Sequence, residues 1–127
     1  MRVSNKQMTL GELIQKLKRM DTEKQIYFDF ANLHVGKIGS YRGYYEDLAV
    51  GYCVEPFPER FGVNAQGFLD RLCSATRLSF SGWKGGEYQM HADTVLWVAN
   101  AGETSNTIIT GAREEDFRLL VKTKTVK

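Results

Sequence analysis

Two short stretches carry apolar residues at helical spacing, and each is followed by a strand rich in aromatics. This pairing constrains the fold more than any other feature of the chain. Leu10, Leu13, Ile14 and Leu17 fall on one helix face, and Met20 closes the stripe. Thr9-Leu10-Gly11-Glu12 reads as a capping box: the Thr9 hydroxyl accepts from a first-turn N–H and Glu12 reaches back. Gln15, Lys16, Lys18 and Arg19 form the other face, with the cations near the end that the helix dipole favours, and read as solvated. The second stripe, Phe68, Leu69, Leu72 and then Ala75 or Thr76, predicts a helix over roughly residues 65–76, with Asn64 as its candidate N-cap. Residues 13–17 and 68–72 share a pattern. It reads either as a pseudo-repeat of helix then strand or, more simply, as two ordinary amphipathic helices.

The rest reads as strands and turns. In residues 25–30, alternation places Ile26, Phe28 and Phe30 on one face and Tyr27 and Asp29 on the other. Residues 31–47 lose periodicity and predict an irregular loop, long enough to suggest function. A second strand over 48–54 is broken by Pro56 and Pro58. A short strand over 78–80, a turn at 82–86 and a third main strand over 93–99 follow. After a polar turn at 101–106, residues 107–111 return as a hairpin partner. Residues 112–116 read as a charged turn and 117–122 as a closing strand, with a basic tail at 122–127 and a loose arm at 1–8. The sum is one α+β domain over 1–127: two amphipathic helices packed on a mostly antiparallel sheet of about five strands. A chain of 127 residues can bury such a core without metal or disulfide.

Charge narrows the partners. Seventeen basic and fifteen acidic residues are mixed along the chain, for a net charge of +2. That balance argues against a nucleic-acid polymer, which calls for a basic face or tail. A small anion needs one or two cations and stays open. No apolar run approaches the roughly 20 residues that span a bilayer, and the first residues lack a signal-peptide core, so no membrane partner and a cytoplasmic location are expected. Cys53 and Cys73 lack C-x-x-C spacing and read as free, small hydrophobes. His34 and His91 have no second ligand at metal spacing, so neither a metal nor a cofactor is expected. A G-x-S-x-G nucleophile motif is absent.

Two stretches carry the candidate site. Tyr41-Arg42-Gly43-Tyr44-Tyr45 has the composition of a nucleotide reader: arginine clamps phosphate bidentately and tyrosine stacks on bases. The same residues also suit an aromatic loop pinned onto the sheet. Trp83-Lys84-Gly85-Gly86 offers a flanking aromatic, a charge and backbone that an anion can approach closely, although it is no P-loop. A tight hairpin turn accounts for the glycines equally well. Trp97, among Val95, Leu96 and Val98, reads as core, whereas Trp83 is the better candidate for an exposed stacking face. Were the chain an enzyme, His91, Asp93 and Glu87 would be its candidate acids and bases.

Taken together, residues 9–13, Phe28-Asp29-Phe30, residues 40–45, Trp83-Lys84-Gly85-Gly86, Asp93-Thr94 and residues 96–99 resemble a family of short bacteriophage proteins. The resemblance covers about residues 8–111 and carries over no catalytic residue. It implies a phage protein acting in the host cytoplasm. In kind, the chain is similar to the α+β oligomeric sponges that sequester the cyclic nucleotide or ADP-ribose signals of bacterial immunity. The expected function is therefore binding and sequestration of a phosphate-bearing nucleotide signal, without catalysis, by a homo-oligomer. An enzyme degrading such a signal and a protein-binding inhibitor of a host factor are the alternatives. A sponge needs nanomolar affinity, about 12 kcal/mol, more than one arginine and one stacked tyrosine supply. Residues 40–45 and 82–87 are thus expected to meet at one pocket, completed by a second subunit.

Overall fold

The first helix begins where its capping box predicts. The computed structural model describes residues 3–30, 33–53, 64–81, 86–100 and 102–126, and in it helix α1 spans Leu10–Lys18. The Glu12 N–H donates to Thr9 Oγ1 at 3.2 Å and the Thr9 N–H to Glu12 Oε1 at 2.8 Å. Helix α2 spans Ala65–Ala75 and starts after Asn64, whose side chain makes no capping bond. Among the described residues no helix is long and apolar enough to cross a membrane.

Six strands close into a barrel: β1 (Gln25–Phe28), β2 (His34–Ser40), β3 (Leu48–Cys53), β6 (Leu96–Val98), β7 (Thr107–Glu114) and β8 (Arg118–Thr125). Between them in sequence, β4 (Ser79–Ser81) and β5 (Glu87–Gln89) pair as a separate two-stranded sheet. In the barrel β1–β2–β3 and β6–β7–β8 are antiparallel meanders. The meanders join at two parallel seams, β3 on β6 and β8 on β1. Among the described residues the architecture is α+β with two helices, as expected, but the main sheet has six strands rather than about five. The missed strand is β2, which runs through residues expected to be loop.

The register turns the sequence echo into a structural repeat. At one seam Ile26, Tyr27 and Phe28 lie beside Leu119, Leu120 and Val121; at the other Leu96, Trp97 and Val98 lie beside Leu48, Ala49 and Val50. Tyr27 pairs across to His34 as Trp97 does to Ile108. Each middle strand is bulged at the matching place, between Val35 and Ile38 in β2 and between Ile109 and Gly111 in β7. The inward residues match one for one: Ile26, Phe28, Val35, Leu48 and Val50 with Leu96, Val98, Ile109, Leu119 and Val121, all buried in one core. The helices extend the match, since Leu10, Leu13, Ile14 and Leu17 of α1 and Ala65, Phe68, Leu69 and Leu72 of α2 enter the same core. The simpler reading, two unrelated amphipathic helices, therefore gives way to a twofold repeat of helix and three-stranded meander.

The helix ends are tied to the barrel. Leu10 and Gly11 donate backbone hydrogen bonds to the carbonyls of Thr94 (2.7 Å) and Ala92 (2.8 Å), just before β6. The approach is close: a Cβ on Gly11 would lie 3.0 Å from the Ala92 carbonyl oxygen, so a larger residue fits only if residue 92 gives way by a few tenths of an ångström. The start of α2 is anchored in turn by Ala65 N–H donating to the Lys24 carbonyl at 2.7 Å.

Candidate functional site

The connection from β2 to β3, residues 41–47, folds over the outer wall of the β3–β6 seam. In β6 the inward places belong to Leu96 and Val98, so Trp97 points outward and needs a cover. Tyr41 supplies it. The two rings are stacked with centroids 4.5 Å apart and planes 2° apart. The Tyr41 hydroxyl donates to the Ser105 carbonyl at 2.6 Å and accepts from the Ser105 N–H at 3.0 Å. Tyr41, Ala49, Trp97, Ala99 and Ile108 form a second apolar cluster outside the barrel, with Tyr44 packed against it. At 3% exposure the Tyr41 ring offers no face to a base.

Asp47 completes this cover. It is buried, and its Oδ2 accepts from Trp97 Nε1 at 2.8 Å. Burial pushes the Asp47 carboxyl above the usual carboxylate range, and the Trp97 N–H works against that rise. A raised folded-state pKa means that the folded protein holds this proton more tightly than the unfolded chain. The resulting stability is full below the ordinary pKa of about 3.9 and is lost as pH rises through the folded value. Asp47→Asn does not titrate. Relative to the parent, it should therefore gain stability between pH 4 and pH 7 in urea melts. Other acids titrate in both proteins and cancel in the comparison. Parallel stability profiles would refute the shift.

The expected ligand residues are divided by the fold. Arg42 is exposed and its Nη1 donates to the Gly102 carbonyl at 3.1 Å, on the Trp97 side of the turn. Gly43 is exposed, and a Cβ there would lie 2.7 Å from the Tyr41 ring. Tyr44 is half-buried, 6.1 Å from Trp97 between ring centroids. Tyr45 turns the other way, its ring centroid 5.5 Å from that of Tyr88 on β5. Through this pair the β2–β3 connection and the β4–β5 hairpin meet. Trp83, Lys84 and Gly85 lie outside the described residues. Gly86 follows them at φ +82°, a left-handed conformation that side chains resist.

The candidate acids and bases are placed as follows. Glu87 opens β5 and is exposed. His91 and Asp93 are exposed on the turn before β6, where His91 Nδ1 accepts from the Asp93 N–H at 3.1 Å. That bond makes His91 a turn-forming residue. Burial pushes the Cys53 thiol up, away from the reactive thiolate. Among the described residues no three His, Cys, Asp or Glu side chains are grouped to hold a metal ion.

A third group was not expected from the sequence. Gln25, Tyr27, Phe117 and Arg118 line an open depression of about 340 Å³ on the outer wall of the β8–β1 seam. The Arg118 guanidinium lies over the Tyr27 ring, 5.5 Å from its centroid, and the His34 ring packs 4.3 Å from it. Glu115 accepts from Arg118 Nε at 2.9 Å and from Arg113 at 3.0 Å, and its carboxyl is held below the usual range by Arg118 first. Phe117, in the β7–β8 turn, is 91% exposed. The outward placement of Tyr27 is readable from strand alternation, but Arg118 reaches it only through the parallel seam.

Set against protein-family models, curated proteins and solved structures, the chain matches none of them.

Proposed function

We propose that this chain is a phage-encoded anti-defence protein that binds and sequesters a phosphate-bearing nucleotide signal without converting it. The site is the end of the barrel where the β2–β3 connection meets the β4–β5 hairpin. The observation that carries the reading is the Tyr45–Tyr88 ring contact at 5.5 Å, which sets the residue next to the 82–87 stretch against residues 40–45. Arg42, on the same connection, donates to the Gly102 carbonyl on the Trp97 side and would have to turn from that bond to meet a phosphate at this site. Gly86 has a left-handed backbone, and Lys84 and Gly85 before it, the expected anion contacts, lie outside the described residues. Tyr41 and Tyr44 hold the connection in place rather than touch the ligand. Sequestration is favoured over turnover because His91 Nδ1 is engaged by the Asp93 amide, which removes that nitrogen as a base. Nanomolar affinity would require a second subunit to close the site.

Calorimetric titration with cyclic dinucleotides, cyclic trinucleotides and cyclic ADP-ribose isomers tests the site. Arg42→Ala and Tyr88→Ala should each weaken the tightest ligand about tenfold or more, because each removes a charge-assisted bond or an aromatic surface. Unchanged affinity in both variants would remove the site.

A further inference from the structure

The repeat supplies an internal comparison that points to a second site. The connections at the two seams are closed by the same backbone hydrogen bond, Tyr41 N–H to the Asp47 carbonyl at 2.9 Å and Glu115 N–H to the Arg118 carbonyl at 2.8 Å. Tyr41 thus corresponds to Glu115, Asp47 to Arg118 and Trp97 to Tyr27. The first connection runs through residues 41–47 and lays the Tyr41 ring on Trp97. The second is cut to residues 115–117, and its first residue carries a carboxylate instead of a ring. Among the described residues no ring takes the place of Tyr41 here; Arg118 lies over Tyr27, His34 packs against it, and an open depression lies beside them.

We infer that this depression binds a planar aromatic ring bearing an anionic group, which packs between Tyr27, Phe117 and the Arg118 guanidinium. Three features set the chemistry. Tyr27 is the platform. Phe117, almost fully exposed at the rim, is a second apolar wall. Where the covered seam has Asp47 beside its platform, the open seam has Arg118 and Arg113 around the single carboxylate of Glu115, a group of net positive charge. Arg118 is already oriented by Glu115, which fixes its guanidinium beside the ring. A guanidinium suits phosphate and carboxylate alike, and both sources share the aromatic anion. The seam lies on the opposite wall of the barrel from β3–β6, so this inference stands apart from the site at Tyr45 and Tyr88.

The test is titration of the isotope-labelled full chain, followed by amide chemical shifts, with AMP and indole-3-acetate as aromatic anions. Adenosine and inorganic phosphate are the controls that lack the charge or the ring. AMP, indole-3-acetate or both should move amides of residues 25–27, 34 and 113–120, and the pair separates a phosphate source from a carboxylate one. Adenosine and phosphate should each bind about tenfold more weakly than the best anion. Phe117→Ser, a change at an exposed position that the fold tolerates, and Tyr27→Ala should each weaken that anion about tenfold. Shifts confined to residues near Tyr45 and Tyr88, binding unaffected by both variants, or no shift with either anion would overturn the site. So would concentration-dependent self-association that Phe117→Ser abolishes, since Phe117 would then seat against a second copy.

Discussion

Replacing Trp97 with alanine lowers the unfolding free energy by about 3–5 kcal/mol, the range for truncating a buried aromatic. Three losses coincide. The Tyr41 ring loses the surface on which it is stacked at 4.5 Å. Asp47, itself buried, loses the indole donor at 2.8 Å. The second apolar cluster loses its largest member, and with it the support of residues 41–47. Trp97→Phe separates these effects. It keeps a ring under Tyr41 but not the donor, so it should cost about 1–3 kcal/mol, the penalty for removing one partner of a buried hydrogen bond. Urea denaturation of both variants measures the difference. A Trp97→Ala cost below about 1 kcal/mol, the level of an ordinary surface change, would mean that the outer cluster does not hold the connection.

Phe68→Ala should cost about 3–5 kcal/mol and Leu13→Ala about 2–5 kcal/mol, because both side chains are fully buried in the core shared by the helices and the barrel. They occupy matching places in the two repeats. If the helices pack as repeated units, both variants should unfold in a single transition, each at a lower urea midpoint. Fluorescence and far-ultraviolet circular dichroism would then coincide. A variant that melts in two phases would show that one helix and its meander fold apart from the other pair.

The helices were legible because their signals are local. The Thr9–Glu12 box and two apolar stripes fix start, face and length within a few residues, and the structure reproduces them. Strands β1 and β3 were legible for the same reason. Strand β2 was not, and the bulge explains why. Val35 and Ile38 are three residues apart, a spacing that in a regular strand would send them to opposite faces; the extra residue brings both to the core side. The identical defect in β7 brings Ile109 and Ala112 inward together, which is why that strand was expected to stop at Gly111 but runs to Glu114. Barrel closure was out of reach for another reason: its two parallel seams join strands far apart in sequence, and no local pattern records them.

The candidate site was legible only in part. Composition gave Tyr41, Arg42, Tyr44 and Tyr45 one meaning, yet Tyr41 and Tyr45 face different neighbours. The deciding fact is that Trp97 points out of the barrel. Strand alternation across Leu96 and Val98 could have shown this, and a large outward aromatic predicts a cover. The depression at Tyr27 and Arg118 carried no such signal, since its residues come from opposite ends of the chain.

The measurement that bears most directly on the proposed function is thermal unfolding with cyclic dinucleotides, cyclic trinucleotides and cyclic ADP-ribose isomers, each hit followed by chromatography of the ligand recovered after denaturation. Binding to the folded state raises the midpoint by mass action. The account predicts a rise of several degrees with at least one of these signals, and recovery of that ligand intact. Recovery of a cleaved ligand would make the protein an enzyme. No rise with any of them would contradict the nucleotide reading and favour a protein partner.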